Sequence, residues 1–544
     1  MKNISKLILG VCCSASILMT GCIDETFPTN VATSDQLSSS AKATEALLWA
    51  MPAYTNKFNV FAVVPSNDAY AFDWGYGSIM HIRDVMTEDF AVISHGYDWY
   101  QAWEYNMQQG ENYLRPQYIW NYYWKFVQTT NNMIGTLEPE TATDVQLGYL
   151  GAGYAFRAFI YLDMARMFEF LENDKTNAVN AAGNNVKGLT VPIVKEGMTE
   201  AEARNNPRAT REQMAEFILD DLNKAEEYIA KLTATEKTLP HLDVVYGLKA
   251  RYYMWLENYP EAKNYAEKAI AATSVRPMSQ DAWLSTTKGF NDISAWMWGS
   301  QMQSEDDVVK SGILNWTAWM SNEAVYGYCG AGPFNMISSS LYNRINDTDF
   351  RKLAWKAPEG GALEGQNTYI SEAQFEKIPD YGSLKFRPAE GNGDVSNIGS
   401  ASAYPLMRVE EMYFIVAEAA AHQNAAEGKA QLESFMQTYR DANYVCSAND
   451  IIDEIILQKR IEFWGEGITF FDIKRLNMSV TRGYEGTNFA DAARFNTNGR
   501  PAWMNICIVQ TEKNNNSALV GYENPDPTAS VSYTHLTLPT NSLV

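Results

Sequence analysis

The residues best placed to do chemistry in this chain are two ring-rich stretches, and the chemistry they suit is the holding of a polyhydroxylated ligand. The first runs from Phe72-Asp-Trp-Gly-Tyr76 through Arg83-Asp84 to Tyr97-Asp-Trp-Tyr100; the second holds Trp283, Trp296, Trp298, Trp316, Trp319, Tyr326 and Tyr328. A pyranose has an apolar C–H face that lies on a ring, and hydroxyls that need fixed polar partners. Ligand sites in general pair rigid apolar walls with a few placed polar groups. On that logic the candidate ring contacts are Trp74, Tyr76, Trp99, Tyr100, Trp283, Trp296, Trp298, Trp316, Trp319 and Tyr326. Arg83, Asp73 and Asp98 are the candidate hydroxyl partners. Any single Trp is better explained as core; the clustering beside Gly, Asp and Asn in loops is what favours binding.

Catalytic patterns are missing from the sequence. There is no G-x-S-x-G nucleophile elbow and no H-E-x-x-H, and the five His (His81, His95, His241, His422 and His535) are scattered. Gly75-Tyr-Gly77 and Gly151-Ala-Gly153 lack the third Gly of a dinucleotide loop, and no G-x-x-x-x-G-K occurs. Asp347-Thr-Asp349 is too short for an EF-hand. A glycosidase needs only two carboxyls about 5–10 Å apart, but an acidic chain supplies such pairs by chance. The expectation is therefore a binding protein with no catalytic residue, no metal ligand and no cofactor.

Composition narrows the ligand. The formal charge of −22 repels nucleic acid and anionic lipid heads, while neutral ligands remain open to it. Aromatic residues make up 13% of the chain, with 15 Trp and 31 Tyr, so part of that excess is available for a binding surface once a core is filled. Cys329, Cys446 and Cys507 are far apart, which excludes a disulfide scaffold and zinc spacing.

The N-terminus carries an address. Lys2 and Lys6 precede the short apolar run Leu7 to Met19, too short to span a bilayer and so read as a cleaved signal. Leu18-Met-Thr-Gly-Cys22 has the form of a bacterial lipobox, and Ile23-Asp-Glu25 resembles the acidic signal that sends lipoproteins to the outer face of the outer membrane. Acyl chains on Cys22 would contribute about 0.8 kcal/mol per buried CH₂, enough together for a stable anchor. Residues 1–21 are then a signal peptide and 22–40 a tether.

Helical period sets the rest. Lys42 to Phe58 is a first helix disturbed by Pro52. Trp99/Trp103, Tyr118/Tyr122 and Trp120/Trp124 sit four apart, a spacing that stacks rings on one helix face, with the later pairs read as a buried stripe. Asp144 to Phe170 is a long helix, and Thr210 with Gln213 forms a capping box for the next. Val244 to Glu257, a break at Asn258-Tyr-Pro260, and a helix from Glu261 resemble a tetratricopeptide hairpin, with Ala250, Ala262 and Ala269 at the crossing. Arg276 to Ser402 is loop-rich. Helix returns at Tyr404 to Gln423, Ala425 to Tyr439 and Asn449 to Arg475. Residues 529–544 match nothing before them and are read as a non-native or disordered tail.

Four segments in order resemble the SusD/RagB family of outer-membrane nutrient-binding lipoproteins. They are Arg157-Ala-Phe-Ile-Tyr-Leu-Asp-Met-Ala-Arg-Met-Phe168; Pro207-Arg-Ala-Thr-Arg-Glu-Gln-Met214 leading to Asp220-Asp-Leu-Asn-Lys-Ala225; Leu406 to Ala420 with Arg408, Glu410 and Glu411; and Ile456 to Gly467 with Arg460 and Glu462, followed by Phe471-Asp-Ile-Lys-Arg475. One departure is Glu466-Gly467-Ile468, where the family often has a basic or His residue after the Gly. The charges in these segments sit among apolar residues and are expected to pair with one another. The resemblance implies an all-α protein: a scaffold of tetratricopeptide-like helix pairs, mainly 41–60, 118–275 and 404–476. A loop-rich ligand-binding half, mainly 61–117 and 276–403, would complete a domain spanning 41–528. It further implies non-catalytic glycan capture at the cell surface, outer-membrane attachment through the lipid, and hand-over to a SusC-like TonB-dependent transporter. A peptide-binding relative and a surface glycosidase are the alternative functions. If the lipobox acts as such, Cys22→Ala should release the protein from membranes or stall its processing in fractionated cells. Wild-type protein recovered soluble and unacylated after export would exclude the anchor.

Overall fold

The structure, a computed structural model, describes residues 37–61 and 70–528. The signal segment, Cys22, the tether as far as residue 36 and the 529–544 tail lie outside the described residues. Where described, the chain is mostly helical, as the sequence predicts, with four short strands. Among the described residues no helix is long and apolar enough to cross a membrane.

Local signals start the helices. Ser40 caps α1 (Ala41–Tyr54), and Pro52 falls in its last turn, so the helix ends short of the expected Phe58. Next come α2 (Tyr76–Val85) and α3 (Leu114–Ile134). Helix α4 (Asp144–Phe168) opens with a reciprocal Thr143–Gln146 capping box, and α5 (Arg211–Tyr228) with the expected Thr210–Gln213 box. Asn258 separates α6 (Leu242–Trp255) from α7 (Tyr259–Ala272); its side chain caps Glu261 N, and Pro260 sits in the first turn, where a missing N–H breaks no helix bond. Then follow α8 (Val409–Gln423), α9 (Ala425–Tyr439), α10 (Ile451–Glu462), α11 (Thr469–Arg475) and α12 (Gln510–Asn515). Each helix from α3 to α9 packs on the next in sequence, and α1 covers α3 and α4. Ala250, Ala262 and Ala269 are fully buried at the close crossings.

Two antiparallel strand pairs organise the loop-rich half. β1 (Phe90–Val92) pairs with β3 (Asn335–Ile337), placing Phe90 opposite Ile337 and Val92 opposite Asn335. β2 (Trp298–Gln301) pairs with β4 (Ala403–Met407). The second pair corrects the helix expected from Tyr404. Residues 403–407 are taken up as a strand partner by β2, and helix begins only at Val409. The single helix expected over Asn449 to Arg475 is also corrected. Gly465 and Gly467 adopt left-handed φ of 76° and 67° between α10 and α11. A Cβ on Gly467 would lie 2.9 Å from the Cα of Met80, while its N–H donates to both oxygens of Asp84. The break thus lets α2 approach the backbone.

Beneath these elements lies a buried ion network. Glu462 accepts from Arg351 (3.0 Å), Arg408 (2.9 Å) and Arg440 (2.8 Å), all four side chains being fully buried. Glu410 joins Arg408 and Arg440, and Glu466 joins Arg408 and Lys385. Asp349 pairs with Arg351 and Asp347 with Lys352, so both carboxylates of the Asp347-Thr-Asp349 stretch are committed to cations. No group of three or more metal-binding side chains suited to an ion occurs among the described residues. The three thiols are free and buried. Burial alone would raise the Glu462 carboxyl, but Arg440 and Arg408 hold it far below the usual range, so it stays ionised wherever the protein is folded. Removing one partner of a buried pair costs about 3–5 kcal/mol. Glu462→Gln should lose stability of that order in urea unfolding at neutral pH; a loss under about 1 kcal/mol would show that the network is not a structural keystone.

Candidate ligand-binding site

Most of the rings singled out from the sequence are packing groups. Trp283, Trp296, Trp298 and Trp316 have no exposed surface, and Trp74 and Trp319 have almost none. Trp283 packs on Phe290 and lies against the cations of Arg408, Arg440 and Lys385. Trp296 packs on Phe290, and Trp298 on Phe156 and Phe159 from α4. Trp316 stacks on Tyr404, and Trp74 meets Trp316 edge-on while its indole N–H donates to the Tyr100 hydroxyl at 2.8 Å. Tyr100 itself is buried.

The expected polar partners are also internal. Asp73 accepts from Phe61 N, and Arg83 and Tyr76 both bind Asp163 of α4, at 2.8 and 2.5 Å. Asp73, Trp74, Tyr76, Arg83, Tyr100, Trp283, Trp296, Trp298, Trp316 and Trp319 therefore do not form the expected platform. In a chain this rich in rings, loops that lie between two packed layers carry core aromatics just as helices do. Tyr326 is half-buried, its hydroxyl accepting from Ser400.

One loop does turn rings outward. It follows β1 and runs to the short helical turn Gln101–Glu104. Asp98 is folded inward, with Oδ1 accepting from Tyr100 N at 2.9 Å and its own N–H donating to His95 O at 3.0 Å. With Asp98 and Tyr100 turned in, Tyr97 and Trp99 are left 56% and 46% exposed. This also corrects the expected Trp99/Trp103 helical pair: Trp99 precedes the turn and faces out, and Trp103 is core.

The β1–β3 pairing brings a second loop beside the first. Ile93 N donates to Phe334 O, and His95 lies so close to Gly332 that a Cβ there would come within 2.6 Å of the imidazole. Tyr328 meets Tyr97 edge-on at 6.4 Å and stacks on Trp319 at 4.3 Å. Tyr97 and the half-buried Tyr328 thus meet at the surface beside His95, and the exposed Trp99 follows two residues on in the same loop. Of the residues chosen from sequence, Asp98, Trp99 and Tyr100 belong to this loop, and only Trp99 of the three faces out. Tyr97 and Tyr328 were not chosen, although Gly96 before Tyr97 and Gly327 before Tyr328 mark both as residues at chain reversals.

Charge beneath the loop is arranged to hold it. The Asp98 and Glu104 carboxyls are buried neighbours; burial pushes Asp98 up to about 6, and burial with the nearby Asp98 charge holds Glu104 well above the usual carboxylate range. Arg482 donates to the carbonyls of Val85, Thr87 and Glu104, fastening this turn to the end of α2. Both carboxyls face the interior, which suits a positioning role.

Comparison with known proteins bears on the fold. Residues 348–535 match a family model described as the SusD family, and residues 34–254 match one described as starch-binding associating with outer membrane. No curated protein sequence matches significantly. Among solved structures, a SusD-like carbohydrate binding protein from Bacteroides vulgatus is 21% identical, with 89% of this chain and 98% of that chain covered and a TM-score of 0.67. A SusD superfamily protein from Bacteroides thetaiotaomicron is 16% identical over 88% and 98%, with a TM-score of 0.65. Surface glycan-binding protein A from Bacteroides thetaiotaomicron, solved in complex with laminarihexaose, is 17% identical over 89% and 99%, with a TM-score of 0.61. At these identities the likeness is one of fold.

The raised carboxyls give a pH signature. Because Asp98 titrates above its unfolded value near 4, the folded state keeps a proton that the unfolded chain sheds. Its contribution to stability is full below about pH 4 and is lost as pH rises through about 6. Asp98→Asn mimics the protonated form, so its melting temperature should fall less than that of wild type between pH 5 and 7. Parallel melting curves for the two proteins would exclude this coupling.

Proposed function

Because the chain belongs to the SusD family, we propose that it is a non-catalytic glycan-binding protein of the cell surface, with Tyr97, Trp99 and Tyr328 as its ring contacts. The observation that carries this reading is the outward-facing Tyr97–Trp99 pair on a loop fastened from below by Asp98 and Arg482. Such a loop offers apolar faces to sugar C–H groups without paying to order itself on binding. The glycan-bound structural neighbour supports the same ligand class. Asp98 and Glu104 lie beneath the rings and face the interior, an arrangement that supports capture over hydrolysis.

The family also supports a place in nutrient uptake. On this reading Cys22 anchors the protein to the outer membrane, the loop-rich half, mainly 61–117 and 276–403, meets the glycan, and the helical scaffold, mainly 41–60, 118–275 and 404–476, docks on a SusC-like TonB-dependent transporter that receives the ligand. A millimolar Kd needs only about 4 kcal/mol, within reach of two or three rings and a few hydrogen bonds.

Affinity electrophoresis against a panel of polysaccharides tests the site. Wild type should be retarded by at least one polymer without releasing reducing ends. Trp99→Ala should weaken that binding tenfold or more with an unchanged circular dichroism spectrum, whereas Trp316→Ala should destabilise the fold. Undiminished binding by well-folded Trp99→Ala and Tyr97→Ala variants would exclude this surface, and new reducing ends would exclude a purely binding role.

A further inference from the structure

A second surface has sugar-binding chemistry, and it lies on the helical scaffold. Between α3 and α12 is a shallow cleft of about 340 Å³. Its floor is the Trp120–Trp124 pair, with ring centroids 5.3 Å apart. Their spacing predicts a buried stripe; Trp120 is buried, but Trp124 is partly exposed.

The rim of the cleft is pre-oriented by its own hydrogen bonds. The Thr511 hydroxyl donates to Gln117 Oε1 at 2.7 Å, and Gln117 Nε2 donates to Asn121 Oδ1 at 2.6 Å. That chain leaves the amide nitrogen of Asn121 to donate elsewhere. Asn515 Nδ2 donates to the Thr511 carbonyl at 2.8 Å, which leaves its Oδ1 to accept. Glu512 Oε2 takes the Trp120 indole N–H at 3.4 Å, and the Asn516 side chain also bonds this carboxyl, so Glu512 is held in place as part of the wall. Burial raises the Glu512 carboxyl. Asn121 on α3 and Asn515 on α12 thus each have one half of the amide tied to a neighbour and the other half open to the cleft.

We infer that this cleft is a second glycan contact, separate from the Tyr97–Trp99 surface and suited to the hydroxyls of a neutral sugar. The inference rests on the glycan-binding reading above and extends it to bivalent capture of a long polymer. A ring face beside alternating donors and acceptors matches a pyranose. Lys125 and Glu512 both line the cleft, so the wall carries both signs of charge and no net repulsion toward an uncharged sugar. Two weak contacts on one polymer raise its apparent affinity without any new bond.

Hydrogen–deuterium exchange tests the inference, using the neutral polysaccharide that most retards wild type in the affinity gel. Adding that polymer should protect peptides covering 117–128 and 510–516 as well as 93–100. The first two should stay protected in Trp99→Ala at raised polymer concentration. The double variant Asn121→Ala/Asn515→Ala changes only rim amides and should bind the polymer 3–10-fold more weakly, with an unchanged melting temperature. Protection confined to 93–100, with wild-type affinity in the double variant, overturns the cleft and leaves the Tyr97–Trp99 reading intact. Protection confined to the cleft overturns that reading and upholds the cleft as a glycan site. A wild type retarded by no polymer overturns both.

Discussion

The fold depends on a cluster of charges taken out of water. Glu462, fully buried at the end of α10, is shared by three guanidiniums that reach it from different parts of the chain. Arg408 comes from the entrance to α8, Arg440 from the end of α9, and Arg351 from the loop-rich half. Lys385 and Glu466 extend the cluster, and Arg351 also holds Asp349. Desolvating this many charges is favourable only if every one is paired and hydrogen-bonded. The geometry is therefore demanding, and it joins the helical scaffold to the loops at a fixed orientation. Trp283 and Phe290 close the cluster by laying ring faces against its cations, contacts worth more when desolvated.

Aromatic content was a poor guide to the site because most of the rings in the loops are core. Helices, capping boxes and the Asn258-Tyr-Pro260 break were legible because each is a local device whose residues carry their own physical reason. That these charges are paired was legible, since charges amid apolar helix positions have few other outcomes; the partners were only partly so, for Arg408 meets Glu462 as expected whereas Arg460 pairs with Glu88 and Asp89 and Glu411 with Arg251. Facing was not legible in the loops. A ring in a helix declares its face by its period, but a ring in an irregular segment has no period, so Trp283, Trp296, Trp298 and Trp316 could not be told from exposed rings. The strand at 403–407 failed for a related reason: its partner, β2, is about a hundred residues away. What local evidence there was lay in turn chemistry, where Gly96 and Asp98 mark a reversal that turns Tyr97 and Trp99 outward.

The buried rings still bear on the site, as its foundation. From Tyr97 the contacts pass to Tyr328, to Trp319, to Tyr100, and by hydrogen bond to Trp74; Trp74 meets Trp316, which stacks on Tyr404. The Tyr404 hydroxyl then ties to the Thr55 carbonyl just beyond α1. Rings have few rotatable bonds, so a stack of this kind leaves its outermost members little freedom to lose on binding. This matters most where each individual contact is weak. A surface that grips sugar through two or three ring faces has only a few kcal/mol to work with, and ordering a mobile loop would consume most of it. The scale of the buried stack is therefore matched to the smallness of the exposed one: many aromatic residues pack inside so that Tyr97 and Tyr328 are already in place when the ligand arrives.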